Sequence, residues 1–112
     1  MDELLDRLRR FRDERDWSQF HTPKNLAVSI SIEAAELLEV FQWSRGGELE
    51  GGHSVAEVAD EAADVLIYTL LLFDRIGLDP KAEVLKKIKR NELRFPVAAA
   101  YGRPGSAVKR AR

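Results

Sequence analysis

Four acidic residues recur at one spacing, Glu33-x-x-Glu36 and Glu61-x-x-Asp64. On an α-helix, residues three apart share a face, so each pair presents two carboxylates together. Each pair also interrupts an apolar stripe. At about 100° per residue, Leu26, Ile30, Leu37, Val40 and Phe41 cluster on one side of a helix, with Glu33 among them and Glu36 to one side. Val58, Val65, Tyr68 and Leu72 define the stripe of the next helix, with Glu61 inside it and Asp64 at its margin. A polar residue in the middle of an apolar stripe is a conflict between pattern and composition of the kind that marks functional sites. Consecutive helices joined by a loop are usually antiparallel neighbours, which gathers the four carboxylates. Clustered like charges repel and lose hydration, and no inward arginines on these helices offset them, so a divalent cation is expected. Oxygen ligands without His or Cys suit Mg²⁺, Mn²⁺ or Ca²⁺. One such pair alone is ordinarily a solvated helix face; two on consecutive helices argue for a metal site.

A Mg²⁺ ion held by a few carboxylates keeps positions for water and phosphate oxygens, which points to phosphoryl chemistry. Glu33 or Glu36 would orient the attacking water, and spacing does not choose between them. A phosphate substrate also needs donors outside the acidic cluster. Lys87 and Asn91, one turn apart on the last long helix, are the candidates among otherwise solvated basic residues. Trp17, Phe20 and His21 lie between the first two helices, Trp43 ends the second, and Tyr68 lies one turn beyond Asp64. These aromatic groups either fill core and interface or stack on a nucleobase.

Four helices are predicted to position these residues. The first covers about Asp2 to Asp16, amphipathic through Leu4, Leu5, Leu8 and Phe11. Thr22 before Pro23 reads as an N-cap and first helical residue, and the helix is expected to reach Trp43. The Gly-rich stretch from Ser44 to His53 is a loop. Ser54, with Glu57 three residues on, opens a third helix that Gly77 closes near Ile76. Asp79-Pro80 opens a fourth, which Pro96 stops. The fold class is all-α, an antiparallel four-helix bundle over residues 1–96, followed by a flexible basic tail over 97–112.

Composition narrows the function classes. With 112 residues there is room for one core, small enough that a partner subunit would help stabilise it. A net charge of −1 gives no polyanion-binding surface, so no specific nucleic acid is expected. The absence of cysteine excludes disulfides, zinc ribbons and thiolate nucleophiles, and fits a cytoplasmic location. The N-terminus lacks the apolar run of a secretory signal. The longest apolar stretch, Val65 to Phe73, is about half of what a membrane span needs. Two other functions compete with phosphate chemistry. A ferritin-like carboxylate bundle would need Glu-x-x-His, and neither His21 nor His53 lies three residues after an inward Glu. A non-enzymatic helical adaptor would offer its acidic face to a basic partner.

Taken in order, Glu33-x-x-Glu36, a loop, Glu61-x-x-Asp64, then Lys87 and Asn91 ahead of Phe95-Pro96 resemble the all-α nucleoside triphosphate pyrophosphohydrolases of the MazG-like superfamily. Arg15-Asp-Trp-Ser-Gln-Phe-His-Thr-Pro-Lys-Asn-Leu, Leu38-Glu-Val-Phe-Gln-Trp43 and Glu61-Ala-Ala-Asp-Val-Leu-Ile-Tyr68 are similar to its dCTP pyrophosphatase branch. The resemblance implies Mg²⁺-dependent hydrolysis of a nucleoside triphosphate, dCTP or a modified deoxycytidine triphosphate, to monophosphate and pyrophosphate in nucleotide-pool house-cleaning. It implies Glu33, Glu36, Glu61 and Asp64 as metal ligands and Trp17, Trp43 and Tyr68 in the nucleotide pocket, with Lys87 and Asn91 on the phosphates. It further implies a homodimer or dimer-built tetramer. The chain departs from the branch at Leu8, which stands where a pocket histidine is expected, and at Phe95, where a tyrosine is frequent.

Overall fold

The computed structural model describes residues 1–49 and 52–103, and among these every regular element is helical. Four long helices occur in the expected order, α1 (Asp2–Glu14), α2 (Pro23–Glu39), α3 (Val55–Arg75) and α4 (Pro80–Arg94), followed by a single turn, α5 (Val97–Ala100). No helix among the described residues is long and apolar enough to cross a membrane. The chain divides into two compact units, Met1–Gly77 and a second from Leu78 onward.

Side-chain caps explain where three helices start. Thr22 Oγ1 accepts from the Asn25 amide at 3.1 Å, Ser54 Oγ from Glu57 at 3.3 Å, and Asp79 Oδ2 from Ala82 at 2.8 Å. Each satisfies an amide that the first helical turn leaves unpaired. Glu57 does not complete a reciprocal capping box; its carboxylate meets His53 Nδ1 at 2.8 Å.

Helix ends depart more from expectation. α1 stops at Glu14 because the chain turns into the left-handed region at Asp16, φ 54°. The Asp16 amide donates to the Asp13 carbonyl and the Trp17 amide to the Arg12 carbonyl, both near 3 Å, which is the Schellman pattern normally built on glycine. Gln19 Nε2 donates to both the carbonyl and the carboxylate of Asp16, holding this conformation. α2 ends at Glu39 rather than Trp43. From Val40 to Gln42 each amide bonds three residues back, so the helix tightens into turns before any glycine appears. Gly77, φ 75°, closes α3 as expected. Beyond Pro96, where a flexible tail is expected, the first residues form a turn: Pro96 ends one helix and leads the next, α5, whose Ala99 and Ala100 amides donate to the Pro96 carbonyl. The rest of that predicted tail, from residue 104, lies outside the described residues.

In the first unit α3 packs along α2 and, less extensively, against α1. Leu5 from α1, Leu26 from α2, Val40 beyond it, and Leu70 and Leu71 from α3 are buried. Leu26, 1 % exposed, is the most deeply buried. The predicted stripe of α2 holds, with Ile30, Leu37 and Phe41 half-buried between Leu26 and Val40. On α3 the predicted stripe of Val58, Val65, Tyr68 and Leu72 is only half-buried, while Leu70 and Leu71 close over completely. The reason is that α3 has two neighbours, so its apolar surface wraps around more of the helix than one stripe predicts.

The second unit carries the α4 residues Lys87 and Asn91, at the i,i+4 spacing of one helix face. Asn91 is half-buried, and its carbonyl accepts from the Phe95 amide at 2.8 Å where α4 ends.

Candidate functional site

Glu33 on α2 faces Glu61 and Asp64 on α3, and one carboxylate oxygen from each lies within 4.8 Å of the others. Glu36 stands close enough to Glu33 and Glu61 that its carboxyl disfavours the charged form of both. Since Glu36, later on α2, neighbours Glu61, earlier on α3, and Glu33 also feels Asp64, the two helices run antiparallel. All four carboxylates named from the sequence are thus neighbours, but three form the compact cluster and Glu36 flanks it.

The electrostatics of the cluster favour a bound cation. Glu33 Oε2 and Glu61 Oε2 are buried and have no hydrogen-bond partner. Loss of hydration, followed by the Glu36 carboxyl and the charges of Asp64 and Glu61, pushes Glu33 up to about 7. Glu61 is raised too, first by desolvation and then by Glu36. Buried acceptors without donors are costly unless a cation or proton meets them. Hard oxygen donors at this separation, from three different side chains, fit a divalent cation such as Mg²⁺ or Mn²⁺. No histidine joins them among the described residues, so the ferritin-like pattern is absent.

Beside the carboxylates lies a cavity of about 200 Å³ lined by Leu8, Phe11, Arg12, Trp17, His21, Asp64, Ile67, Tyr68 and Leu71. Asp64 therefore belongs to both the acidic cluster and the cavity. The Asp16 turn delivers Trp17 to this wall, where its ring meets Phe11 edge-to-face at 5.6 Å. His21 is half-buried, and burial, then the charges of Arg12 and Arg75, hold its pKa below the usual imidazole range, so it is neutral at pH 7. Leu8, where the family resemblance leads one to look for a histidine, leaves that part of the wall apolar.

The predicted aromatic set separates. Trp17, His21 and Tyr68 line the cavity, whereas Trp43 sits in the turns after α2, 80 % exposed and away from it. The premature end of α2 accounts for this: without the last predicted turn, nothing carries Trp43 onward along the helix face.

Sequence inspection missed an ion-pair cluster that reaches the cavity through Arg12. Asp74 on α3 accepts from Arg9 Nε and Arg12 Nη1, each at 2.7 Å, and Arg12 Nε donates to Asp13 at 2.8 Å. The side chains of Arg12 and Asp74 are only 14 % and 18 % exposed. The carboxylate is held below its usual range by the two guanidinium groups despite its burial. The signal was present: Arg12 falls between Leu5 and Leu8 on the α1 face, the same conflict that marks Glu33.

The MazG-like family matches residues 28–103. dCTP pyrophosphatase 1 of Homo sapiens is 43 % identical over 94 residues, covering 80 % of this chain and 55 % of its own length. The Bos taurus protein of that name is 38 % identical over 96 residues, covering 82 % of this chain and 57 % of its own. The chain spans about half the length of the curated relatives it matches. The crystal structure of a pyrophosphatase from Archaeoglobus fulgidus DSM 4304 superimposes with a TM-score of 0.74 at 50 % identity, covering 86 % of this chain and 92 % of that one. With the family match extending over most of its length, the chain belongs to the MazG-like family.

Proposed function

We propose that this chain is a nucleotide pyrophosphohydrolase that cleaves a nucleoside triphosphate, dCTP or a modified deoxycytidine triphosphate, to the monophosphate and pyrophosphate. One observation carries the reading: Asp64 is shared by the carboxylate cluster and the aromatic cavity. A ligand spanning that junction needs an anionic, cation-seeking end and a flat apolar end, which a nucleotide has. The names of similar proteins, dCTP pyrophosphatase and pyrophosphatase, support this choice of bond and base.

Glu33, Glu61 and Asp64 would hold Mg²⁺, with Mn²⁺ as a substitute. Bound there, the cation supplies charge neutralisation on the phosphates and acidifies water. Glu36 flanks the cluster, which leaves its carboxylate available to take a proton from the attacking water. In the overall reaction water adds across the α–β anhydride, that P–O bond breaks, and pyrophosphate leaves. Trp17 and Tyr68 offer faces for the base, and His21 lines the same wall as an uncharged donor and acceptor. Lys87 and Asn91 keep their candidacy for the phosphates on chemical grounds, a cation and an amide one turn apart. We further propose a homodimer or homotetramer, since Phe11, Val28, Ile32 and Leu66 are about half exposed.

Pyrophosphate release from a panel of deoxynucleoside triphosphates, with and without Mg²⁺, tests the proposal. Glu36→Gln should lower kcat while Mg²⁺ still raises the melting temperature, and Glu33→Gln should lose both. Two orthophosphates in place of pyrophosphate would show that another bond is cleaved. Light scattering at several concentrations reads the assembly state.

A further inference from the structure

Arg12 has a second aspect besides joining α1 to α3. Its guanidinium carries five N–H groups. Three are committed: Nε and Nη2 to Asp13, at 2.8 and 3.4 Å, and Nη1 to Asp74 at 2.7 Å. The other two have no partner among the described residues, on a side chain only 14 % exposed that lines the cavity together with Trp17, His21 and Tyr68. A cation held from two sides by carboxylates is pre-oriented, and a planar donor beside aromatic walls is suited to the edge of a flat ligand.

We propose that Arg12 determines base selectivity by donating its uncommitted N–H groups to a carbonyl oxygen of the nucleobase, with Asp74 as its positioning residue. The inference rests on the nucleotide reading above and deepens it. Guanidinium donates and never accepts, so it favours bases that carry a carbonyl: cytosine, thymine and guanine. Adenine has none and gains least. Arg12 makes no contact with the carboxylate cluster among its hydrogen bonds, so its effect belongs to binding rather than to bond cleavage.

The test compares Arg12→Ala, Arg12→Lys and Asp74→Asn with the unaltered chain, below the melting temperature of each. Arg12→Ala is expected to raise KM for dCTP, dTTP and dGTP about tenfold or more and for dATP less than about twofold, with kcat changed little. Arg12→Lys retains a charge for Asp74, which protects the fold, yet should recover less than half of the lost selectivity because it lacks the planar fork. Asp74→Asn should show the same base pattern in weaker form. Equal KM changes for all four substrates, or a lowered melting temperature with unchanged KM values in both Arg12 variants, would overturn the proposal and leave Arg12 as a structural clamp.

A second readout is independent of hydrolysis. Quenching of Trp17 fluorescence by the four deoxynucleosides, in a Trp43→Phe background, reports base binding without phosphates. If the unaltered chain released no pyrophosphate from any triphosphate, the enzymatic proposal would fail. Carbonyl-selective weakening of nucleoside binding by Arg12→Ala would still sustain this inference, and uniform weakening would sink it.

Discussion

Replacing Asp74 with asparagine removes the one anion shared by two arginines, and the size of the loss follows from their surroundings. The Arg9 bond is short, but that side chain is 41 % exposed, so solvent screens its pair and it adds little. The Arg12 bond is equally short between side chains 14 % and 18 % exposed. Removing one partner of a buried pair costs about 3–5 kcal/mol. Because Arg12 keeps Asp13 as a second anion, we expect the lower end or less, about 2–3 kcal/mol in total. For a domain near this size, that is a fall in Tm of roughly 10–20 °C. Urea and thermal denaturation followed by far-ultraviolet circular dichroism measure it. The Asp74 carboxyl is depressed by its two arginines, so its contribution is present above the usual carboxylate range and lost as pH falls through its lower folded value. The gap between the two proteins should therefore be full at pH 7 and close at strongly acidic pH. A difference below about 0.5 kcal/mol at pH 7, or one that persists unchanged into acid, would refute the assignment of the clamp.

Other outcomes follow from the same geometry. Without metal, Glu33 lies above its ordinary range at about 7, so its contribution is fully present below pH 4.5 and lost as pH rises through 7; Tm of the metal-free chain should fall over that window, and Glu33→Gln should flatten the fall. Added Mg²⁺ should raise Tm at pH 8 in the unaltered chain and not in Asp64→Asn, as differential scanning fluorimetry will show, and chelation should reverse it. Asp16→Val should cost about 1–2 kcal/mol in urea denaturation, because a β-branched residue is strained at φ 54°, whereas Asp16→Gly should be nearly neutral. Trp43→Ala should leave unfolding free energy within about 0.5 kcal/mol, since the ring is 80 % exposed.

The helix starts were legible because they are written in single side chains: Thr22-Pro23, Ser54 and Asp79-Pro80 each cap as read. Ends were less so. Asp16 adopts a conformation that glycine usually advertises, and α2 unwinds at Val40 with no breaker before Gly46. Glu33 and Glu61 stood out because the apolar stripes around them are long and clean. Arg12 met the same criterion but was hidden among Arg7, Arg9 and Arg10, where one inward arginine looks like another charge on a solvated face. Asp74, inside an otherwise apolar stretch, was its only other trace. Trp43 lies outside the cavity for the converse reason: its place depends on a helix end that no side chain specifies.

One rod, α3, bears Glu61, Asp64, Tyr68 and Asp74. Their separations are therefore multiples of a rise of about 1.5 Å, which no loop adjustment can alter. A residue inserted between Asp64 and Asp74 would turn everything beyond it by about 100°, detaching the arginine anchor from the acidic triad while leaving each locally whole. Variation in this scaffold is thus confined to exchanging side chains at fixed stations along the helix, and chain-length change is tolerable only outside it.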